Sequence, residues 1–312
     1  MHAKTYATIT NISQSKKVSG DYVNFTGKNA LYTKAGTMHG AKLVKSTSQL
    51  KKLARSTRGL DSFMILRTAT TNQHNVYLKI RSLDGKTTGW IYDGKSTQSK
   101  MNNIIYKDKA HKYPAGGVTA FETSSTSLLT QTEKTSYYRL ATPGSATDGT
   151  GVLYNTTLDT ASPAWGTLKV AQPNQTTSTP YASDVFIVTF AKTRTRQGDC
   201  WLRVVDLNNT AVQGYIKASA MTKLPATTAK MGITVNYVDN ASNKVVGTTI
   251  VPVSDTTAMN LTGLFGYFEG LPSGYTANAD HTNGATGFTD KAAAQNAVAG
   301  DVLTYQVGVD RN

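Results

Sequence analysis

The sequence predicts a mainly β protein, with two small barrel modules followed by a small α+β domain. Three observations carry that expectation. A two-strand pattern occurs twice, about 124 residues apart. The first copy runs Val76-Tyr77-Leu78-Lys79-Ile80, turns at Asp84-Gly85-Lys86 and returns as Gly89-Trp90-Ile91-Tyr92. The second runs Cys200-Trp201-Leu202-Arg203-Val204, turns at Asn208-Asn209 and returns as Gly214-Tyr215-Ile216-Lys217. Each reads as a hairpin whose second strand opens Gly-aromatic-Ile. The composition is polar (mean hydropathy −0.33), low in charge and rich in Thr, Gly and Tyr, which favours strands over helices. Finally, 312 residues are enough for two or three domains with cores of their own. Repeated modules act together, because two weak sites on one chain raise each other's effective concentration. The pattern therefore points to binding rather than catalysis.

The elements follow in order. Residues 4–28 alternate weakly (Tyr6, Ile9, Ile12, Val18, Tyr22, Val23, Phe25) and predict edge strands. Ala30-Leu31-Tyr32 continues as a strand up to a turn at Lys34-Ala35-Gly36. Over 46–58, Ser46 or Ser48 caps a short helix that turns Leu50, Leu53 and Ala54 inward and Lys51, Lys52, Arg55 and Arg58 outward. Phe63 to Thr68 and the first hairpin complete a module over 1–98. Residues 99–136, rich in Ser, Thr, Lys and Asn, read as a linker with connecting strands. A second module over 137–225 repeats the plan with Tyr137-Tyr138-Arg139-Leu140, Val152-Leu153-Tyr154, Trp165, Phe186 to Phe190 and the second hairpin. Pro173 to Pro180 reads as an exposed loop.

Leu224-Pro225-Ala226-Thr227-Thr228-Ala229 marks the boundary to a last domain, 226–312. There Ile233 to Val238 and Val245 to Val253 read as a hairpin. Helical spacing follows over 258–269 (Leu261, Leu264, Phe265, Phe268), then a turn at Pro272-Ser273-Gly274-Tyr275 and a final strand, Val302 to Val307. Hairpin, helix and returning strand is a β-grasp-like order.

Charge is unevenly distributed. Residues 1–115 hold 20 basic and 5 acidic residues, 116–229 hold 9 and 7, and 230–312 hold 4 and 7. The net +14 is thus a property of the first module, which predicts a polyanion-facing end. The single cysteine, Cys200, excludes an internal disulfide framework and a multi-Cys zinc site. Its place in a strand, on the face of Leu202 and Val204, marks it as a small buried hydrophobe. The five histidines show no paired metal-ligand spacing, and Glu122, Glu133 and Glu269 form no acid/base pair for glycoside cleavage. Gly116-Gly117 lacks the Lys and helix of a phosphate loop. Neither a cofactor nor a metal is expected, and no enzyme activity. No base-reading motif accompanies the basic module, which argues against nucleic acid, and no stretch is long enough to insert in a membrane. Met1-His2-Ala3 before Lys4-Thr5-Tyr6 reads as a mature secreted chain with a start codon added.

Core packing explains aromatics in strands: Tyr77, Trp90, Trp201 and Tyr215. Tyr32 and Tyr92, beside Lys34 and Lys95 and near turns, suit stacking on a sugar ring. Arg194 and Arg196 precede the second hairpin, where a loop would overhang a groove. The candidate glycan-binding residues are therefore Tyr32, Lys34, Lys42, Lys45, Lys51, Lys52, Arg55, Arg58, Tyr92, Lys95, Arg194, Arg196 and Lys217.

The duplicated hairpin resembles bacterial SH3-like (SH3b-type) wall-binding modules. Lys4-Thr5-Tyr6-Ala7-Thr8, Asn29-Ala30-Leu31-Tyr32-Thr33-Lys34, Gly36-Thr37 and Gly40-Ala41-Lys42 carry a closer likeness. It continues through Val76-Tyr77, Leu83-Asp84-Gly85-Lys86, Gly89-Trp90-Ile91-Tyr92 and Gly94-Lys95, then Lys192-Thr193-Arg194 and Gly214-Tyr215-Ile216. With a weaker match at Pro272-Ser273-Gly274-Tyr275, the chain resembles the anchoring part of the S-layer proteins of lactobacilli, brevis/buchneri-type. The resemblance implies a secreted, non-enzymatic Gram-positive surface protein. It would hold a wall polysaccharide (teichoic acid or a neutral glycan) and contact copies of itself in a two-dimensional lattice. Members are longer, so 230–312 would begin the assembly region, and Gly214-Tyr215 departs from the family's Gly-Trp. A secreted adhesin for host glycans is the alternative, and a wall hydrolase the enzymatic rival.

Overall fold

The computed structural model describes residues 5–12, 22–95, 116–154, 176–254, 258–262 and 270–311. It is mainly β, and it divides into two units. The first takes the described residues up to Ser125 together with Thr193–Asp199; the second takes the remainder.

In the first unit the strands are β1 (Ile9–Ile12), β2 (Tyr22–Phe25), β3 (Leu31–Tyr32) and β4 (Leu43–Lys45), then, after helix α1 (Thr47–Ala54), β5 (Phe63–Thr71), β6 (Asn75–Ser82), β7 (Thr88–Lys95) and β8 (Val118–Phe121). They form one sheet in the order β4-β3-β7-β6-β5-β2-β8, with β1 on β5. The helix forms where its cap predicts. Ser46 Oγ accepts the Gln49 N–H at 3.3 Å while Gln49 Oε1 accepts the Ser46 N–H at 2.9 Å, a reciprocal cap for two helix-end donors. Its apolar side seats Leu50, fully buried, with Leu53 and Ala54 beside Val23, Phe25, Phe63, Leu78, Ile80 and Ile91. The expectation of edge strands over 4–28 holds for exposed β1 and fails for β2, which lies between β5 and β8. Tyr22, Val23 and Phe25 are all buried there, Val23 and Phe25 in the core with Leu50 and Phe63. Val18 and the linker residues 99–115 lie outside the described residues; Val118–Phe121, within the expected connecting stretch, supplies β8.

Strand β9 (Ser124–Ser127) spans the division at Ser125; the second unit holds α2 (Gln131–Lys134), β10 (Tyr138–Leu140), β11 (Phe186–Arg194) apart from its last two residues, β12 (Cys200–Asp206), β13 (Gln213–Lys217) and β14 (Met221–Lys223). The order is β13-β12-β11-β10-β14, with β9 on β11. Trp165 and 173–175 lie outside the described residues. Beyond them the expected exposed loop has a buried anchor. Ser178 is fully buried, its hydroxyl donating to the Gly151 carbonyl and accepting the Gly144 N–H at 3.0 Å.

The C-terminal strands are β15 (Gly232–Asp239), β16 (Val245–Pro252), β17 (Tyr275–Thr276), β18 (Gly287–Phe288) and β19 (Val302–Val309), ordered β16-β15-β19-β17, with β18 on β19. β15 and β16 form the expected hairpin, and β19 returns parallel to β15, the strand arrangement of a β-grasp. The helical spacing read over 258–269 is not realised in its described part. Met259 instead exchanges backbone hydrogen bonds with Ala297, at 2.8 and 3.0 Å, and a short helix, α3 (Lys291–Gln295), follows an Asp290 cap. Residues 263–269 lie outside the described residues.

These strands share a core with the second module. Tyr137, Val185, Ile187, Val205 and Leu207 pack with Ile233, Val235, Tyr237, Leu303, Tyr305 and Val307. Tyr137 Oη and Thr249 Oγ1 lie 2.6 Å apart in a buried hydrogen bond, and Asn208 Nδ2 donates to Ser254 Oγ at 2.7 Å. Joining two small cores in this way buries more apolar surface per residue than either could alone.

At the tip of the second hairpin Asp206 is fully buried, its Oδ1 accepting the Asn208 and Asn209 N–H groups at 2.7 and 3.3 Å. Burial, with a hydrogen bond and like charge from Asp184, pushes its carboxyl up to about 8. The neutral acid is thus the form the fold favours. Its contribution is complete below the ordinary carboxylate range and is lost as pH rises through about 8. The unfolding free energy from urea titrations should fall across that interval, by at least about 1 kcal/mol, and Asp206→Asn should flatten the slope.

Candidate functional site

The first hairpin has two unlike faces, because successive side chains on a strand point opposite ways. Leu78, Ile80 and Ile91 enter the core, while Tyr77, Trp90 and Tyr92 form an aromatic layer with Ala35, Ala69 and Met38. Across the strands Tyr77 faces Tyr92, with ring centroids 5.6 Å apart at 65°. Strand β3 crosses beside them, so that Tyr32 pairs with Trp90. The crossing requires glycine at position 89, where a Cβ would lie 2.9 Å from the Tyr32 carbonyl oxygen and 2.7 Å from Leu31 Cγ.

Against this layer opens a groove of about 840 Å³. Tyr6, Tyr32, Tyr77 and Tyr92 line it, with Met38, Asn29, Thr37 and Asn75 between them and Lys28 and Lys95 as its cations. No carboxylate lines it among the described residues. Aromatic walls with a few polar groups suit a saccharide, whose ring has an apolar face and a polar rim. Burial raises the Tyr77 phenol, helped by Tyr92 and Tyr32, and burial together with Asp93 raises that of Tyr92. Both therefore remain hydrogen-bond donors at neutral pH. Gly36, with φ +54, makes room: a Cβ there would fall 2.1 Å from the Tyr77 hydroxyl.

Of the residues predicted from sequence, Tyr32, Tyr92 and Lys95 come together in the groove. Lys34 lies near it, donating to the His39 carbonyl at 3.1 Å beside Gly40. Lys51, Lys52, Arg55 and Arg58 form an exposed basic face on and after α1. Arg58 there contacts Asp61 at 3.4 Å and Asp84 at 3.8 Å, which leaves the other three to carry the positive field. Lys42 is exposed and Lys45 half-buried around β4; neither lines the groove.

Arg194 and Arg196 do not overhang a groove. Both are buried. Arg194 grips Asp199 through two nitrogens, Nε at 2.6 Å. Arg196 donates to Ser62 Oγ at 2.8 Å and to the Leu53 and Ser56 carbonyls at 2.9 and 3.0 Å, with its guanidinium 4.8 Å from the Phe121 ring centre. It satisfies carbonyls at the C-terminal end of α1, where a cation also suits the helix dipole. Sequence reasoning missed Tyr6, Lys28 and the groove-facing role of Tyr77. Tyr6 and Lys28 stand in or beside motifs already singled out, and only the fold shows which way they face.

The second hairpin repeats the register. Trp201 faces Lys217, Leu202 faces Ile216, Arg203 faces Tyr215, and Tyr154 bridges Tyr215 as Tyr32 does Trp90. Trp90 and Trp201 are both buried, as the strand pattern predicts, and half-buried Cys200 packs against the core of Leu202 and Val204.

A scan against protein-family models matches the GW (Gly-Tryp) dipeptide domain at residues 10–94 and 130–222, more than half of the chain. The chain belongs to this family, whose members are cell-wall-binding, SH3b-like modules of bacterial surface proteins. No curated protein and no solved structure matches. Among the described residues no cluster of His, Cys, Asp and Glu is placed to hold a metal, and no helix is long and apolar enough to cross a membrane.

Two substitutions test the local architecture. Gly36→Ala should strain the backbone and displace Tyr77, costing about 1–3 kcal/mol in chemical denaturation. Arg196→Ala should lower the stability of the first unit by about 2–3 kcal/mol, because the buried Ser62 hydroxyl and the half-buried Leu53 and Ser56 carbonyls lose a charged donor.

Proposed function

We propose that this chain is a non-enzymatic structural surface-layer protein, secreted and held non-covalently on a Gram-positive cell-wall polysaccharide by its GW copies. Residues 1–98 and 137–225 are the wall-facing modules, and 226–312 contribute to two-dimensional self-assembly. The observation that carries the reading is the tyrosine-lined groove of the first copy, set in a module with excess positive charge. The aromatic walls suit sugar rings, and the basic face of α1 draws an anionic polymer such as teichoic acid towards them. A neutral wall glycan would use the groove without the field. The likeness of the first module to the anchoring part of lactobacillar S-layer proteins supports the lattice, as do exposed Met231, Val245 and Val302 in the last domain.

Co-sedimentation of the full chain with purified Gram-positive walls tests the anchor. Cutting at 229 would split the core shared by Tyr137 and Tyr237. The chain should pellet with walls, and reversing Lys51, Lys52, Arg55 and Arg58 together should weaken pelleting about tenfold or more at low salt and less at high salt. Pelleting unchanged by that reversal and by acid extraction of teichoic acid would assign the binding to a neutral glycan. Electron microscopy of the dialysed chain should show sheets. Attachment to host mucin without attachment to walls would replace this reading with an adhesin, and lysis in a zymogram would replace it with a hydrolase.

A further inference from the structure

The two GW copies share a register but not a surface. In the first, Tyr92 lies opposite Tyr77, both line the groove, and Tyr32 is half-buried at its wall. In the second, the equivalent places are held by Lys217, Trp201 and Tyr154. Trp201 and Tyr154 have no exposed surface, and their rings meet at 5.7 Å and 65°. The loop before Tyr154 closes over them. Gly149, with φ +96, sits so close that a Cβ would fall 2.5 Å from Trp201 Cη2 and 3.0 Å from Lys217 Cγ, and its carbonyl accepts the Lys217 N–H at 2.9 Å. The charge is answered as well: Asp148 beside that loop is held below the usual carboxylate range by hydrogen bonds from Thr150 and by Lys217. The second copy thus fills with its own side chains the corner that the first leaves open.

We infer that the copies have divided their work. The first-copy groove is the saccharide site of the GW pair, stacking a pyranose ring of the wall polymer on Tyr32 and Tyr92, and the second copy serves as the scaffold on which the C-terminal sheet is built. The shared core gives the second copy that role, since Val185, Ile187, Val205 and Leu207 of its sheet pack against β15 and β19. Each chain then holds the wall through one groove, and multivalency arises between chains rather than within one. This deepens the wall-anchoring reading by narrowing its two wall-facing modules to the first copy, and it rests on that reading.

The test is wall co-sedimentation of three full-length variants beside the wild type. Tyr32→Ala/Tyr92→Ala should lose about tenfold or more in affinity, while Tyr32→Phe/Tyr92→Phe, which keeps the rings, should stay within about threefold. Lys217→Ala in the second copy, a residue that the sequence alone offers as a glycan contact but that does not line the groove, should stay within about twofold of wild type. Loss on Lys217→Ala as large as on the double alanine variant would overturn the division, as would full pelleting of the double alanine variant. Failure of the wild type to pellet would instead remove the wall reading, and this inference with it. Nitration of the wild-type chain, mapped by mass spectrometry with and without purified walls, needs no variant to fold. Tyr32 and Tyr92 should be protected by walls, and equal nitration in both conditions would overturn the assignment.

Discussion

The first module depends on a close approach of two strands. β3 can lie against β7 only because residue 89 has no side chain; any Cβ there would enter the space of Leu31 and the Tyr32 carbonyl. That approach brings Tyr32 beside Trp90, sets Trp90 and Tyr92 on one face, and leaves Ile91 for the core. The Gly-aromatic dipeptide is therefore a packing device before it is a recognition motif. Glycine admits the crossing strand, and the aromatic residue after it supplies the layer on which the groove rests. The same pairing of Tyr154 with Tyr215 in the second copy shows that the crossing tolerates Tyr in place of Trp.

Local patterns were legible wherever short-range physics decides the outcome. Both hairpins, the Ser46-capped helix with its inward Leu50, and the turn at Gly274 all follow from neighbours in sequence. The interior position of β2 was not legible, because it depends on β8, some 95 residues further along the chain. Nor was the inward turn of Arg194 and Arg196. Loop arginines look solvated in sequence, whereas here the carboxylate of Asp199, the Ser62 hydroxyl and the carbonyls of Leu53 and Ser56 offset the cost of burying them. The site divides in the same way. Tyr32, Tyr92 and Lys95 could be named from turns and flanking charge, whereas Tyr77 reads as core from its strand and is at once buried and groove-lining.

A boundary in sequence is not always a boundary in packing. The stretch from Leu224 to Ala229 reads as a domain boundary, yet Leu224 donates its N–H to the Tyr137 carbonyl at 2.8 Å and packs on the core that both sides share. The fully buried Asp206 lies within the same unit, at the hairpin tip whose Asn208 reaches Ser254. Conditions that charge this carboxyl therefore act where the second module meets the C-terminal strands.

The parallel pairing of β15 with β19 has a mechanical consequence. The six paired positions from Thr234–Val302 to Asp239–Val307 lie side by side with both strands running the same way. A pull applied at the start of β15 and the end of β19 drags the two strands past each other lengthwise. Their hydrogen bonds then share the force together, whereas a hairpin pulled at its open end yields one rung at a time. Tension along this part of the chain is resisted in shear, the geometry in which a small sheet is hardest to tear.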